Sequence, residues 1–455
     1  MRDPNRETSS ACWGVFFLLL GIYILFLGAE LGYTKDANPI IAVTNTFLVT
    51  GSFAYPLNGD PPYSMYGLGM SVWYTPIRMV LELIVPKSIS EDFIGFWFRL
   101  GYIFLNVLGS AGIGAFLVKW ALDLGVSRGA SILGALCYGT ATLQLPYARY
   151  DFSEPVVGFF LLGGFYYLWR SNRIPNWRNF LYAGLFLGAG ALTRVSVGFL
   201  AVFGAVPVLL GAYRRKDWKG AASFFAPLVF TLITIFWYNY ARFDDPFETG
   251  YPISFEASLL EGIAGLLLSP GRGLLFYSPV AIMGLVAFFV SAKTGRLTIG
   301  LVGLSLVLFL TLHGKWTFWH GGWCWGPRFL LPLLPFSGLG FAYLFDKPSL
   351  RLIGPVLLFG TGWLINGLAI YTPYTDFFET AAVNKFPEQA LLWEWKYSLL
   401  RVHHEYLSQV HLLNYDFLFL NADLWGRGVY GVALAGIVSL GVGIWGLRRS
   451  YVERI

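Results

Sequence analysis

Charge is scarce in this chain. Only 13% of its 455 residues are Asp, Glu, Lys or Arg, and 56% are apolar. A soluble domain carries about 25% charge, so an ordinary water-soluble globular protein is excluded. Cysteine is scarcer still, at three residues. Cys12 and Cys137 fall within apolar blocks and Cys324 stands alone between two of them, which gives neither a disulfide framework nor a metal-ligand spacing. No long basic run argues for nucleic acid as a partner. Low-complexity linkers and a separate soluble domain are lacking. No obvious internal repeat shows, so the inverted-repeat signature of many transporters is not visible.

What the chain has instead is apolar blocks of roughly 16 to 26 residues, long enough to cross a bilayer core. About twelve such spans are predicted, near 12–31, 93–118, 128–145, 155–170, 179–193, 195–213, 221–241, 277–292, 297–312, 329–345, 352–371 and 430–447. The first lacks a small-residue cleavage site and is long for a signal-peptide core, so it is expected to be a retained helix. Twelve spans place both termini on one side, with the loops near 120–127, 171–178, 214–220, 293–296 and 346–351. Those short segments hold 18 of the 32 basic residues, among them Arg214, Arg215, Lys216 and Lys219, which makes that side cytoplasmic. The net charge of +6 is therefore a topology signal. The expected location is the cell membrane, multi-pass, with both termini cytoplasmic.

The loops on the other side are long or dense in polar groups: 32–92, 242–276, 313–328 and 372–429, with the short segment Pro146–Glu154 beside them. Long ordered loops usually carry function. Tyr66–Val85 is apolar enough to span but contains Pro76 and Arg78, and counting it would invert every later loop. It is expected to be helix lying in the outer interface. The fold class expected is an all-α polytopic membrane protein with interfacial helices in its outer loops.

Several outer residues have chemistry to offer, each beside a plainer reading. Asp36 follows the first span by about five residues, where a lipid headgroup and a soluble acceptor both reach it, or where it is a solvated loop acid. Asp151 and Glu154 precede Pro155 and either cap a helix or set two carboxylates at a cavity mouth. Arg194, between two short spans, needs a partner, of which phosphate is one, or snorkels to the interface. In Ser269-Pro270-Gly271-Arg272-Gly273, the flanking glycines let the backbone bend around a bound group while the guanidinium grips an anion; the same run also makes a simple turn. The run from Trp316 to Phe329 is dense in aromatics, as interfacial belts are, and His320 with Arg328 adds the polar groups that a sugar site needs. His403, His404 and His411 are expected to be surface groups rather than metal ligands.

Taken together, these segments resemble the GT-C superfamily of integral membrane glycosyltransferases, in the branch similar to glycosyltransferase family 39 and the dolichyl-phosphate-mannose protein mannosyltransferases. The resemblance is carried by Asp36, Tyr63-Ser64-Met65-Tyr66-Gly67-Leu68-Gly69, Glu154-Pro155, Leu192-Thr193-Arg194, Asp245-Pro246-Phe247-Glu248-Thr249-Gly250-Tyr251, Ser269–Leu274 and Gly326-Pro327-Arg328-Phe329-Leu330. Two departures stand out: Ala37 follows Asp36 where relatives often have Glu, and Met65 stands where they often have Lys. The similarity runs to about residue 345. It implies a GT-C-like catalytic module over 1–345, with 346–455 adding C-terminal spans and the outer loop 372–429.

The resemblance further implies a polyprenyl-phosphate-linked sugar donor, an acceptor hydroxyl on a lipid, glycan or protein, and transfer with inversion on the extracytoplasmic face. Asp36 is then the catalytic base, its carboxylate ionised at neutral pH with an ordinary pKa of about 4. Asp151, Glu154, Arg194, Glu248, Tyr251, Arg272, His320 and Arg328 are the expected substrate-binding residues, the arginines meeting the leaving phosphate. No cofactor and no metal ligands are assigned, and a divalent metal stays open. A lipid or glycan transporter, and a GT-C-like scaffold without activity, are the alternatives.

Overall fold

The computed structural model describes residues 4–27, 34, 36–54, 63–85, 91–251, 254–351, 353–371, 374–407 and 427–452. His411, and parts of the expected loops 32–92 and 372–429, lie outside the described residues. The helices, in order, are α1 Pro4–Leu25, α2 Ala37–Thr50, α3 Leu68–Ile84, α4 Glu91–Asp123, α5 Arg128–Ala141, α6 Gln144–Ala148, α7 Glu154–Arg173, α8 Trp177–Thr193, α9 Ser196–Arg215 and α10 Trp218–Phe243. Then come α11 Leu259–Leu268, α12 Leu274–Tyr277, α13 Pro279–Val290, α14 Arg296–Lys315, α15 Pro335–Phe345, α16 Ile353–Asn366, α17 Leu368–Tyr371, α18 Tyr374–Val383, α19 Glu388–Trp393, α20 Leu399–Leu407 and a last helix, Arg427–Val452. Among the described residues no strand forms; one isolated bridge joins Ala54 to Tyr63.

The protein is an all-α polytopic membrane protein. Seven stretches of described helix are long and apolar enough to cross a bilayer: Thr8–Leu25, Trp97–Asp123, Ser196–Arg215, Trp218–Phe243, Arg296–Lys315, Ile353–Ile370 and Tyr430–Ser450. The other five expected spans coincide with helices α5, α7, α8, α13 and α15, which fall short of that length or apolarity. The expected outer loops contain helices of their own. Residues 32–92 hold α2 and α3, and 372–407 holds α18 to α20.

Local signals account for many ends. Pro155 sits in the first turn of α7, where its missing N–H costs nothing. Asn176 and Asp217 accept from the first-turn amides of Arg178 and Gly220 and so cap α8 and α10. Ser258, three residues before Glu261, caps α11.

The chain divides into two units. One comprises residues 31–106 and 150–252; the other comprises 1–30, 107–149 and 253–455. In the first, α2, α3, the start of α4 and α7 enclose a core of Ile40, Met70, Tyr74, Phe98, Tyr102 and Val156. Lys219 lies 5.5 Å from the Trp177 ring, which joins two of the loops grouped by the charge bias. In the second, α1 pairs with the last helix and α15 packs against α5 and α13. There, Asp346 accepts from the Ser127 amide at 3.0 Å and from Lys293 Nζ at 2.9 Å, so three more of the grouped loops meet at one carboxylate.

Candidate active site

Asp36, Asp151 and Glu154 lie in the first unit, and each is held by a side chain distant in sequence. Asp36 immediately precedes α2, yet its carboxylate caps nothing. Instead Tyr66, from the turn before α3, donates its hydroxyl to Asp36 Oδ1 at 2.8 Å. Two residues earlier, Thr34 accepts from the Ala37 amide at 3.1 Å and donates to Asp151 Oδ1 at 2.7 Å. A single threonine hydroxyl thus ties the start of α2 to the turn before α7.

Asp151 is fully buried, and burial pushes its carboxyl up to about 6. The Thr34 hydroxyl opposes that rise, and the neighbouring Asp36 charge adds to it. The turn itself is fixed from α4: the amide nitrogen of buried Asn106 donates to the carbonyls of Tyr150 and Phe152, on either side of Asp151.

Neither acid caps α7, contrary to one sequence expectation. Ser153 occupies the cap position, with no side-chain bond to the helix. Glu154, 2% exposed, accepts from Arg194 Nη1 at 2.6 Å. Arg194 therefore has a protein partner at the end of α8 and does not simply snorkel. The approach of α3 fixes that end. A Cβ on Gly69 would fall 2.4 Å from the Thr193 backbone, so only glycine permits the contact. Trp73 Nε1 donates to Thr193 Oγ1 at 2.9 Å beside it.

Tyr251 packs edge-on against Tyr66, ring centres 5.8 Å apart. Glu248 accepts from the Gly250 amide at 2.7 Å and shapes its own loop. Arg242, stacked 3.8 Å from the Tyr238 ring, donates to the carbonyl of Ser64 and so anchors the turn that carries Tyr66.

Arg272, His320 and Arg328 lie in the second unit. Arg272 is 3% exposed, and its two terminal nitrogens donate to main-chain carbonyls, Gly271 O and Gly322 O, both at 2.7 Å. Its guanidinium carbon lies 4.8 Å from the Phe378 ring centre. Gly271 also serves a close approach within the chain: a Cβ there would sit 2.3 Å from Leu391 O. His320 Nδ1 accepts from the Gly322 amide at 3.1 Å, which places the ring proton on Nε2, and that nitrogen lies 2.7 Å from Glu388 Oε1. The imidazole holds the Glu388 carboxyl below its usual range. Arg328 is buried, 5.1 Å from the Phe329 ring centre. His403 is 1% exposed against Trp325, so it is a core residue and not the surface group expected. Among the described residues, no group of three or more His, Cys, Asp or Glu is arranged to hold a metal ion.

Sequence reasoning passed over Thr34, Asn106 and Glu388 and gave Tyr66 no role of its own. Asn106 carried a usable signal: a lone amide in the middle of an apolar span is costly there unless it has a job.

Compared with solved structures, the chain is similar to ArnT from Cupriavidus metallidurans bound to undecaprenyl phosphate, with TM-score 0.51 and 13% identity, over 98% of this chain and 77% of that one. The two chains share a fold. The apo form of the same enzyme matches at TM-score 0.47 and 12% identity, over 94% and 75% of the two chains. A family model, dolichyl-phosphate-mannose-protein mannosyltransferase, matches residues 54–246. That match agrees, over those residues, with the resemblance to the dolichyl-phosphate-mannose protein mannosyltransferases read from the sequence. The matched stretch includes Tyr66, Asp151, Glu154 and Arg194; Asp36 and the Arg272 loop lie outside it.

Proposed function

We propose that the protein is a membrane glycosyltransferase that moves a sugar from a polyprenyl-phosphate-linked donor to an acceptor hydroxyl. The observation that carries this reading is the carboxylate of Asp36, held by Tyr66 and neighbouring the buried acid Asp151, within a fold shared with ArnT. ArnT, of the same fold, binds a polyprenyl phosphate, which supports the donor class.

Asp36 takes the proton of the acceptor hydroxyl as that oxygen bonds to the anomeric carbon. The bond from that carbon to the donor phosphate breaks on the opposite face, its electron pair leaving with phosphate, so configuration inverts. Positive charge develops on the sugar, as it does in glycosidases, and a nearby carboxylate stabilises it. Arg272 and Arg328 are the guanidiniums assigned to the phosphate, because planar forked donors match its oxygens. Arg194 already holds Glu154, so its part is to keep that carboxylate in place. Asp151 orders the start of α2 through Thr34. Tyr251, Glu248 and His320 are assigned to substrate contacts.

The topology proposed with this reading has twelve spans, cytoplasmic termini and Asp36 on the extracytoplasmic side, with residues 1–345 as the catalytic module. The meeting of the grouped basic loops at Asp346 and at Trp177 supports the grouping. Membranes carrying the protein, incubated with several labelled polyprenyl-phosphate sugars, should release label to an acceptor, and Asp36→Asn membranes should not. Equal transfer by both would remove Asp36 from the mechanism. No transfer from any such donor, with labelled lipid crossing the bilayer instead, would favour a transporter.

A further inference from the structure

The segment 374–407 matches no motif of the resemblance, yet it makes most of the contacts that hold the Arg272 loop. The Leu392 carbonyl accepts from both the Ser269 hydroxyl and the Gly271 amide, the latter at 3.1 Å. Ser398 Oγ donates to Pro270 O at 2.7 Å. Phe378 lies beside the Arg272 guanidinium. Glu388 accepts from His320, whose other ring nitrogen takes the amide of Gly322, and the carbonyl of Gly322 takes Arg272 Nη2. Every residue from Ser269 to Arg272 thus touches this segment directly or, for Arg272, also through a chain of two hydrogen-bonded neighbours.

We propose that residues 374–407 are a positioning strap that fixes Arg272 for the phosphate of a polyprenyl phosphate, with Glu388 and His320 as its adjustable contact. The proposal rests on the reading of a phosphate-linked donor. A buried arginine whose two terminal nitrogens bond main-chain carbonyls has its plane fixed, and this orients its remaining donors toward an anion. One of those carbonyls, Gly322 O, sits in a turn whose amide is held by His320, and His320 is steered by Glu388. Because Nδ1 accepts, the ring meets Glu388 as a neutral Nε2–H donor, so an uncharged acceptor in place of the carboxylate serves equally well.

Purified full-length protein in detergent micelles is titrated with undecaprenyl phosphate. Arg272→Ala should weaken binding by more than about tenfold, the loss of a forked charged donor. Glu388→Ala and Ser398→Ala should each weaken it about three- to fivefold, the scale of one partly exposed polar contact. Glu388→Gln should bind as the wild type does, because its amide oxygen still accepts from Nε2–H. In the Arg272→Ala background, Glu388→Ala should have no further effect, since both act through one guanidinium.

Wild-type affinity in both Glu388→Ala and Ser398→Ala, with Arg272→Ala impaired, would overturn the strap and leave the phosphate reading standing. Additive losses in the double variant would also overturn it. Wild-type affinity in Arg272→Ala would overturn both. Should Glu388→Ala fail to fold, Ser398→Ala alone and combined with Arg272→Ala carries the same test.

Discussion

The acids around Asp36 in one unit and the buried arginines Arg149 and Arg272 in the other are held by different means. Three acids of the first unit are fixed by other side chains: Asp36 by Tyr66, Asp151 by Thr34, Glu154 by Arg194. In the other unit, buried arginines lean on main-chain carbonyls: Arg272 on Gly271 and Gly322, Arg149 on Ile370. The chemistry of the groups explains the difference. A carboxylate only accepts, and the side chains around it can be chosen to donate; a guanidinium only donates, and carbonyls are the acceptors every residue supplies. A site held by side chains breaks with one substitution, whereas a site held by carbonyls breaks only when the backbone moves.

The largest effect should come from Asp36→Asn. The amide keeps the size and can still accept from Tyr66, but it cannot take a proton, so transfer should fall about 100- to 10,000-fold with donor binding unchanged. Near-normal turnover in well-folded protein would make Asp151 or Glu154 the better candidate base. Next is Arg194→Ala, which strips the partner from a carboxylate that is 2% exposed. Breaking such a buried pair from one side costs roughly 3–5 kcal/mol. A thermal melt should show the loss, and adding Glu154→Gln should recover part of it. If the double variant melts no higher than the single, the pair is not what matters.

The same contrast decides what could be read in advance. Seven of the twelve expected spans were legible because apolar blocks of bilayer length are a strong signal; the other five coincide with helices that fall short of that length or apolarity. Helix α2 was not: its fourteen residues mix apolar groups with Thr and Asn and read as loop. Asp36, Asp151, Glu154 and Arg194 were legible because charge beside an apolar run needs explaining. Thr34 and Tyr66 are neutral, and nothing in their spacing shows which acid they meet. Glu388 lies where the resemblance gives out. The hold on Arg272 was illegible in principle, because a carbonyl acceptor leaves no trace in residue identity.

Asp151 sharpens the comparison through pH. Its folded carboxyl sits at about 6 against an ordinary 3.8. Between those values the folded protein keeps a proton that the unfolded chain has released, so stability is greatest below about pH 4 on this account and falls as pH rises towards 6. About two pH units correspond to about 3 kcal/mol. Melting temperatures across that window should drop with rising pH in the wild type and change less in Asp151→Asn. Parallel curves for the two would mean that Asp151 titrates like a surface acid.

The smallest effect tests the comparison most directly. Tyr66→Phe deletes one oxygen and keeps the ring that packs on Tyr251, so the fold should be unaffected. What goes is a donor to a charged group, and such bonds contribute about 1.5–3 kcal/mol. Transfer should fall roughly tenfold or more in kcat, with little change in donor affinity, because Asp36 is left less firmly aimed. Ser398→Ala, the matching deletion of one hydroxyl at the Arg272 loop, should cost only about three- to fivefold, and in donor affinity, because the Leu392 carbonyl still holds Ser269 and Gly271. The ordering is the test. Were Ser398→Ala to match or exceed Tyr66→Phe in cost, the arginine loop would be as dependent on single side chains as the acids are. Its main-chain bonds would then be a consequence of the strap being in place and not the reason that Arg272 stays put.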